Sequence, residues 1–154
     1  MIYVECKPDK VLIENLDVLE KEKIYHCGGK GRVVSNVLKG KKNYGLIDED
    51  PLSPQPRKLK NFEKKYEKYG IKIMGDDKEN KLIILCPNLE RWILKVVKEN
   101  SIDIKKYGLP EEGEELHSII NTNINSFIKL LKELKRTKEF EFFRNIFNNF
   151  QCKR

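Results

Sequence analysis

Four short segments of this chain carry side chains able to do metal or phosphate chemistry, and each follows a β-type run. Ile2-Tyr3-Val4 leads into Glu5, with Asp9 four residues further on. The run over 44–47 ends in Asp48-Glu49-Asp50, and the apolar run over 82–85 leads through Cys86-Pro87 to Glu90. A strand over 23–27 opens into Gly28-Gly29-Lys30-Gly31. In an open parallel sheet, ligands bind outside the carboxyl ends of the strands, so all four segments belong at one sheet edge. Carboxylates converging there repel one another, and without a cation at least one tends to hold a proton. A divalent ion removes that conflict. Oxygen donors without paired His or Cys ligands point to Mg2+ or Mn2+, held by Glu5, Asp48 and Asp50 with Asp9 and Glu90 as further candidates.

The elements that must position these residues follow from periodicity. Asp9 can cap a helix bearing Val11, Leu12, Leu16 and Leu19, and Val33, Val34, Val37 and Leu38 form a second helical face. Leu89, Ile93, Val96 and Val97 form a third after the 82–85 run, which is buried on both sides if its sheet is parallel. Strands alternating with helices argue for an α/β protein, a small parallel sheet flanked by helices with right-handed crossovers. Three prolines (Pro51, Pro54, Pro56) break the pattern. Beyond them, Leu59, Phe62, Tyr66 and Tyr69 recur at helical spacing, which predicts an amphipathic helix over 57–69 with its tyrosines in the core. Residues 71–73 read as an edge strand and 76–80 as a polar hairpin or loop. After Asn100 two amphipathic helices are expected, one carrying Leu116 to Leu134 and one rich in phenylalanine from Phe140 to Phe150. The organisation is therefore an α/β core over 1–98 and a helical C-terminal extension over 99–154 packed on it. So many phenylalanines in one helix also offer a homodimer face.

Val4-Glu5-Cys6-Lys7-Pro8-Asp9 resembles the first TOPRIM motif, and Leu46-Ile47-Asp48-Glu49-Asp50 resembles the second, the DxD that ends a later strand. The glycine loop lies between them, as in TOPRIM domains of the overcoming-lysogenization-defect nuclease type. Cys86-Pro87-Asn88-Leu89-Glu90-Arg91-Trp92 is similar to the P-x-x-E-x-W segment of small TOPRIM-like defence-associated proteins. The resemblance covers residues 1–98 and implies Mg2+-dependent phosphodiester chemistry on nucleic acid. Asp48 and Asp50 would hold the ion, and Glu5 would ligate it or act as general acid/base. Cys6 stands where that pattern usually has glycine. The resemblance leaves two readings: a compact nuclease, or a non-catalytic TOPRIM-like module that binds nucleic acid or a protein partner.

Plainer roles stand beside these. Asp9 also serves as a helix cap, and Glu90 suits a helix N-terminus through the dipole. The glycine loop can meet phosphate through Gly29 and Lys30 or simply turn the chain, and it lacks the P-loop spacing. Trp92 reads as packing, and His117 as a surface or boundary residue. Cys6, Cys27 and Cys86 read as small, partly buried thiols without zinc-ligand spacing.

Charge decides less than its location. Among the 154 residues, 31 Lys+Arg against 24 Asp+Glu leave +7, in a chain without alanine whose basic residues are mostly lysine. Lysine-rich composition arises without any polyanionic partner. Seven basic residues against two acidic ones fall within 51–72, however, directly after the acidic cluster. Arg57, Lys60 and Lys64 are the expected phosphate contacts there. No run approaches a membrane span, the opening residues are not patterned as a signal peptide, and scattered cysteines fit a reducing, cytoplasmic setting.

Overall fold

The structure is a computed structural model that describes residues 1–17 and 23–152, with 148–152 as helix backbone alone. Leu19 and the side chain of Phe150 lie outside the described residues. In chain order the elements are β1 (Ile2–Val4), α1 (Lys7–Glu14), β2 (Ile24–His26), α2 (Lys30–Leu38), β3 (Tyr44–Asp48), β4 (Glu63–Lys68), β5 (Ile71–Gly75), β6 (Lys81–Leu85) and α3 (Leu89–Glu99). Three further helices follow: α4 (Gly113–Ile120), α5 (Ile124–Leu134) and α6 (Lys138–Cys152). The strands form one six-stranded sheet in the order β2-β1-β3-β6-β5-β4. The first four in that order run parallel, with Val4 beside Leu46 and Asp48 beside Leu85, and the β4–β5 hairpin adds two antiparallel strands.

Strand alternation sorts the core onto both faces of this sheet. Ile2, Val4, Tyr44, Leu46, Ile83 and Leu85 face α1, α3 and the C-terminal helices in one large apolar cluster. Ile47, Leu82 and Ile84 face α2, against Val33, Val34 and Val37. The chain passes from β1 to β2 on one side, then crosses to β3 on the other. The carboxyl ends of β1 and β3 therefore flank a topological switch point, where α/β sheets open a crevice.

The structure replaces the helix expected over 57–69 with a short 3-10 turn at Arg57–Asn61 and the strand β4. Phe62 is buried against the α2 face, whereas Tyr66 is 51% exposed and stacks near Phe142 of α6. The helical spacing of these residues thus joins side chains that lie on different faces of the sheet. Tyr69 and Gly70 have φ of 55° and 74°, the paired left-handed residues of a tight hairpin turn. Trp92 Nε1 donates to Tyr69 O at 2.8 Å and fixes that turn on α3. β5 consequently lies inside the sheet, with β4 as its edge, rather than forming the edge itself.

The C-terminal region holds three helices rather than two, because the chain breaks at Asn121–Asn123 between α4 and α5. Phe140, Phe143 and Phe147 are at most 1% exposed and pack with Trp92 and Tyr44. They belong to the core and offer no dimer face. No helix among the described residues is long and apolar enough to cross a membrane.

Gly45 marks the closest approach of α2 to the sheet. A Cβ there would meet Leu82 Cδ2 at 2.7 Å and both Val33 Cγ1 and Val37 Cγ2 at 2.9 Å. Valine side chains in a helix have little rotamer freedom with which to yield. Gly45→Ala is expected to cost about 1–3 kcal/mol through overpacking. Gly31→Ala, inside α2 with nothing within 4 Å, is expected to gain about 0.5–1 kcal/mol from reduced backbone entropy. Chemical denaturation of the two variants reads both signs, and equal effects would contradict the packing of α2.

Candidate active site

Four acidic side chains lie near one another at the switch point, and each arrives there for a local reason. Glu5 follows the last residue of β1, and its Oε2 accepts the backbone N–H of Asp48 at 2.7 Å, tying the ends of β1 and β3 together. Asp48 closes β3, and its Oδ1 accepts the N–H of Leu89 at 2.9 Å, the first amide of α3. Asn88 caps the same helix by accepting from Arg91 N–H. Unpaired amides at a helix N-terminus favour an anionic partner, so α3 fixes Asp48 while its first turn brings in Glu90. Glu90 is 7% exposed, and its Oε1 hydrogen-bonds His117 Nδ1 of α4 at 2.9 Å.

Asp9 sits in the first turn of α1, after Pro8, and points inward. It does not cap the helix; Cys6 holds the cap position and donates its Sγ–H to Asp9 Oδ2 at 3.1 Å. Asp9 is 1% exposed and its Oδ1 has no hydrogen-bond partner. A buried oxygen without a donor is costly, which makes Asp9 Oδ1 the least satisfied atom of the cluster.

The crowding shows in the proton affinities. Burial, reinforced by Asp9, Glu5, Glu90 and Asp50, pushes the Asp48 carboxyl up to about 9. Burial pushes Asp9 up to about 7, with Glu5 and Glu90 adding to it while the Cys6 thiol opposes it. Glu5 is also raised, again chiefly by burial, although the Asp48 N–H and Lys30 hold it down. Burial and the neighbouring Asp9 raise the Cys6 thiol well beyond its ordinary value, so it stays a hydrogen-bond donor.

Lys30 is the nearest cation. Its ammonium donates to Glu49 O at 3.0 Å and to Gln55 Oε1 at 3.1 Å, and it lies 4.0 Å from Asp50 Oδ2. It therefore also pins the loop after β3. Asp50 stands at the rim beside Lys30, with a positive φ of 42° and its N–H bonded to Pro87 O. Glu49, unused in the sequence reading, pairs with Lys72 of β5. Gly29 opens α2 with no side-chain cap, so the first amides of that helix have no side-chain acceptor.

The basic residues are placed differently from the sequence expectation. Arg57 and Lys60 lie on the exposed 3-10 turn, and Lys64 on edge strand β4, paired with Glu67. Lys64 sits opposite Met74, and Met74 opposite Leu82 near the start of β6. That is the amino end of the parallel strands, away from Glu5 and Asp48. The cysteines are separate: Cys27 accepts from Asn36 Nδ2, and Cys86 lies by Ile84 O. His117 was missed as a site neighbour, since its link to Glu90 spans 27 residues and nothing in the local pattern signals it.

Among the described residues no three His, Cys, Asp or Glu side chains converge closely enough to hold one metal ion by themselves. The arrangement is a pair of backbone-anchored carboxylates, Glu5 and Asp48, with Asp9 and Glu90 behind them. Fold and site together define a doubly wound α/β protein with an acidic cluster at its switch point. No family model, curated protein or solved structure matches the chain.

Asp9 and Asp48 retain protons in the folded chain at pH values where an unfolded chain has released them. Their contribution to stability is therefore full below about pH 4 and is lost as pH rises through about 7 and 9. Asp48→Asn keeps an acceptor for Leu89 N–H and cannot ionise. Thermal melts should show the variant gaining on the native chain as pH rises from 5 to 9, by roughly 1–3 kcal/mol at the top. Parallel pH profiles would contradict the buried cluster.

Proposed function

We propose that this chain is a divalent-metal-dependent phosphodiesterase acting on nucleic acid, a stand-alone TOPRIM-like nuclease. The observation that carries the reading is the cluster of Glu5, Asp9, Asp48 and Glu90 gathered at the switch point, with Asp9 Oδ1 unsatisfied. A buried site of this charge is completed by a cation.

The donor set fits Mg2+ or Mn2+. All the donors are oxygen, and Mg2+ keeps several waters and takes only one or two carboxylates beside substrate phosphates. Asp48 would hold the ion with Asp50 at the rim, and Glu5 would either join them as a ligand or serve as general acid/base. When bound, such an ion supplies Lewis-acid polarisation of a phosphoryl oxygen.

The chain's own groups supply the rest. Glu5 has one oxygen fixed by the Asp48 amide, which leaves Oε1 to accept the proton of an attacking water. Burial raises its proton affinity above that of an ordinary carboxylate, against the Asp48 amide and Lys30, the direction that suits a general base. As the water oxygen bonds to phosphorus, the bond to the leaving oxygen breaks and that oxygen takes its proton from solvent. The uncapped first turn of α2, at Gly29 and Lys30, offers N–H groups to a neighbouring phosphate.

The second reading, a module that binds nucleic acid or a protein partner without cleaving, is favoured by one feature. Cys6 already occupies one Asp9 oxygen as a donor, and it stands where the TOPRIM pattern has glycine. Labelled single- and double-stranded DNA and RNA incubated with Mn2+ distinguish the two. Cleavage that stops in EDTA and falls about 10²–10⁴-fold in Glu5→Gln supports the nuclease. Nucleic-acid binding without cleavage supports the module. If Mn2+ titration calorimetry shows no binding that Asp48→Asn removes, the metal site is wrong.

A further inference from the structure

A large cavity lies at the other end of the sheet. It measures about 960 Å³ and opens at the amino ends of the parallel strands, between the β4–β5 hairpin and α6. Tyr44, Ile73 and Phe142 form its apolar wall, with Tyr66 alongside. Five lysines line it against two carboxylates, Asp76 and Glu79. Asp76 is engaged inward, accepting from the N–H groups of Lys78 and Asn80 and from Asn80 Nδ2.

The form of β4 is the second observation. Neighbouring residues on a regular strand point to opposite faces, yet Lys65 and Tyr66 both line this cavity. The pairing of β4 with β5 shifts between Lys64 and Tyr66, a β-bulge at Lys65. Bulges re-aim side chains, and this one brings an ammonium and an aromatic ring to the same opening. The stem of Lys65 crosses Gly75, where a Cβ would lie 3.2 Å from its Cε. Lysines on an edge strand often only prevent sheet-to-sheet pairing. That role explains outward lysines; it does not explain a half-exposed tyrosine 5.8 Å from Phe142 beside a lysine whose stem lies over Gly75 while its exposed ammonium reaches Glu63.

We propose that this cleft binds single-stranded nucleic acid, stacking an unpaired base on Tyr66 and taking adjacent phosphates on Lys41, Lys42 and Lys65. Rings on which any base can stack, set within a cationic groove, are what sequence-tolerant single-strand binding requires. The site stands apart from the acidic cluster, since the length of β3 separates the two sheet ends by about 13 Å. Its occupancy needs no divalent ion.

Fluorescence anisotropy of a short labelled oligodeoxynucleotide in EDTA tests it, so neither cleavage nor metal binding enters the readout. Tyr66→Ala is expected to weaken binding about tenfold, and Tyr66→Phe to bind as the native chain does. Changing Lys41, Lys42 and Lys65 together to Gln is expected to lower the salt-dependence slope by about 2. Circular dichroism checks that these surface variants stay folded. Native-like binding by folded Tyr66→Ala would overturn the proposal. So would inorganic polyphosphate competing as well as the oligonucleotide, or a free mononucleotide binding as tightly as the strand.

Discussion

The constraint on which the site depends is the repulsion among carboxylates held where water cannot screen them. Two unit charges 4 Å apart cost roughly 4 kcal/mol at an effective dielectric near 20. The fold offsets part of this with fixed donors: the Asp48 amide for Glu5, the first amide of α3 for Asp48, and the Cys6 thiol for Asp9. Raised proton affinities at Asp9 and Asp48 express burial first and the neighbouring carboxylates second. Those same donors lock the carboxyl ends of β1 and β3 to the start of α3. The acidic cluster and the junction of three elements are therefore one structure.

The sheet carries opposite charge at its two ends. Acidic residues gather at the carboxyl ends of the parallel strands, near the amino ends of α1 and α3. Lysines gather at the amino ends of the strands, around a cleft with an apolar wall. The β4–β5 hairpin links the ends: Lys72 of β5 pairs with Glu49 beside the acidic loop, while Lys65 lines the cleft.

Much of the fold was legible because parallel βα units repeat a strong local signal. The apolar runs at 2–4, 44–47 and 82–85 became β1, β3 and β6, and helices formed after β1, β2 and β6, although the first ends at Glu14 and leaves Leu16 in the turn beyond it. The region 57–69 misled because Leu59, Phe62, Tyr66 and Tyr69 match a helical period by residue type alone. Strand pairing with β5 and the bond from Trp92 to Tyr69 override that period, and neither is local. At the site, Glu5, Asp9, Asp48 and Glu90 could be picked out because each follows a strand or opens a helix. His117 could not, since its contact with Glu90 depends on how α4 packs against α3.

By itself the sequence determined the alternation of strands and helices, the placement of acidic residues at strand ends, and a concentration of lysines after them. These follow from side-chain type and spacing, which act over a few residues. Only the tertiary structure decided which carboxylates cluster together, which oxygen is left without a donor, and that the basic segment becomes an edge strand facing a separate cleft. Those outcomes depend on strand order and register. Both are set by burying two faces of one sheet at once, a condition imposed by the whole chain rather than by any one segment.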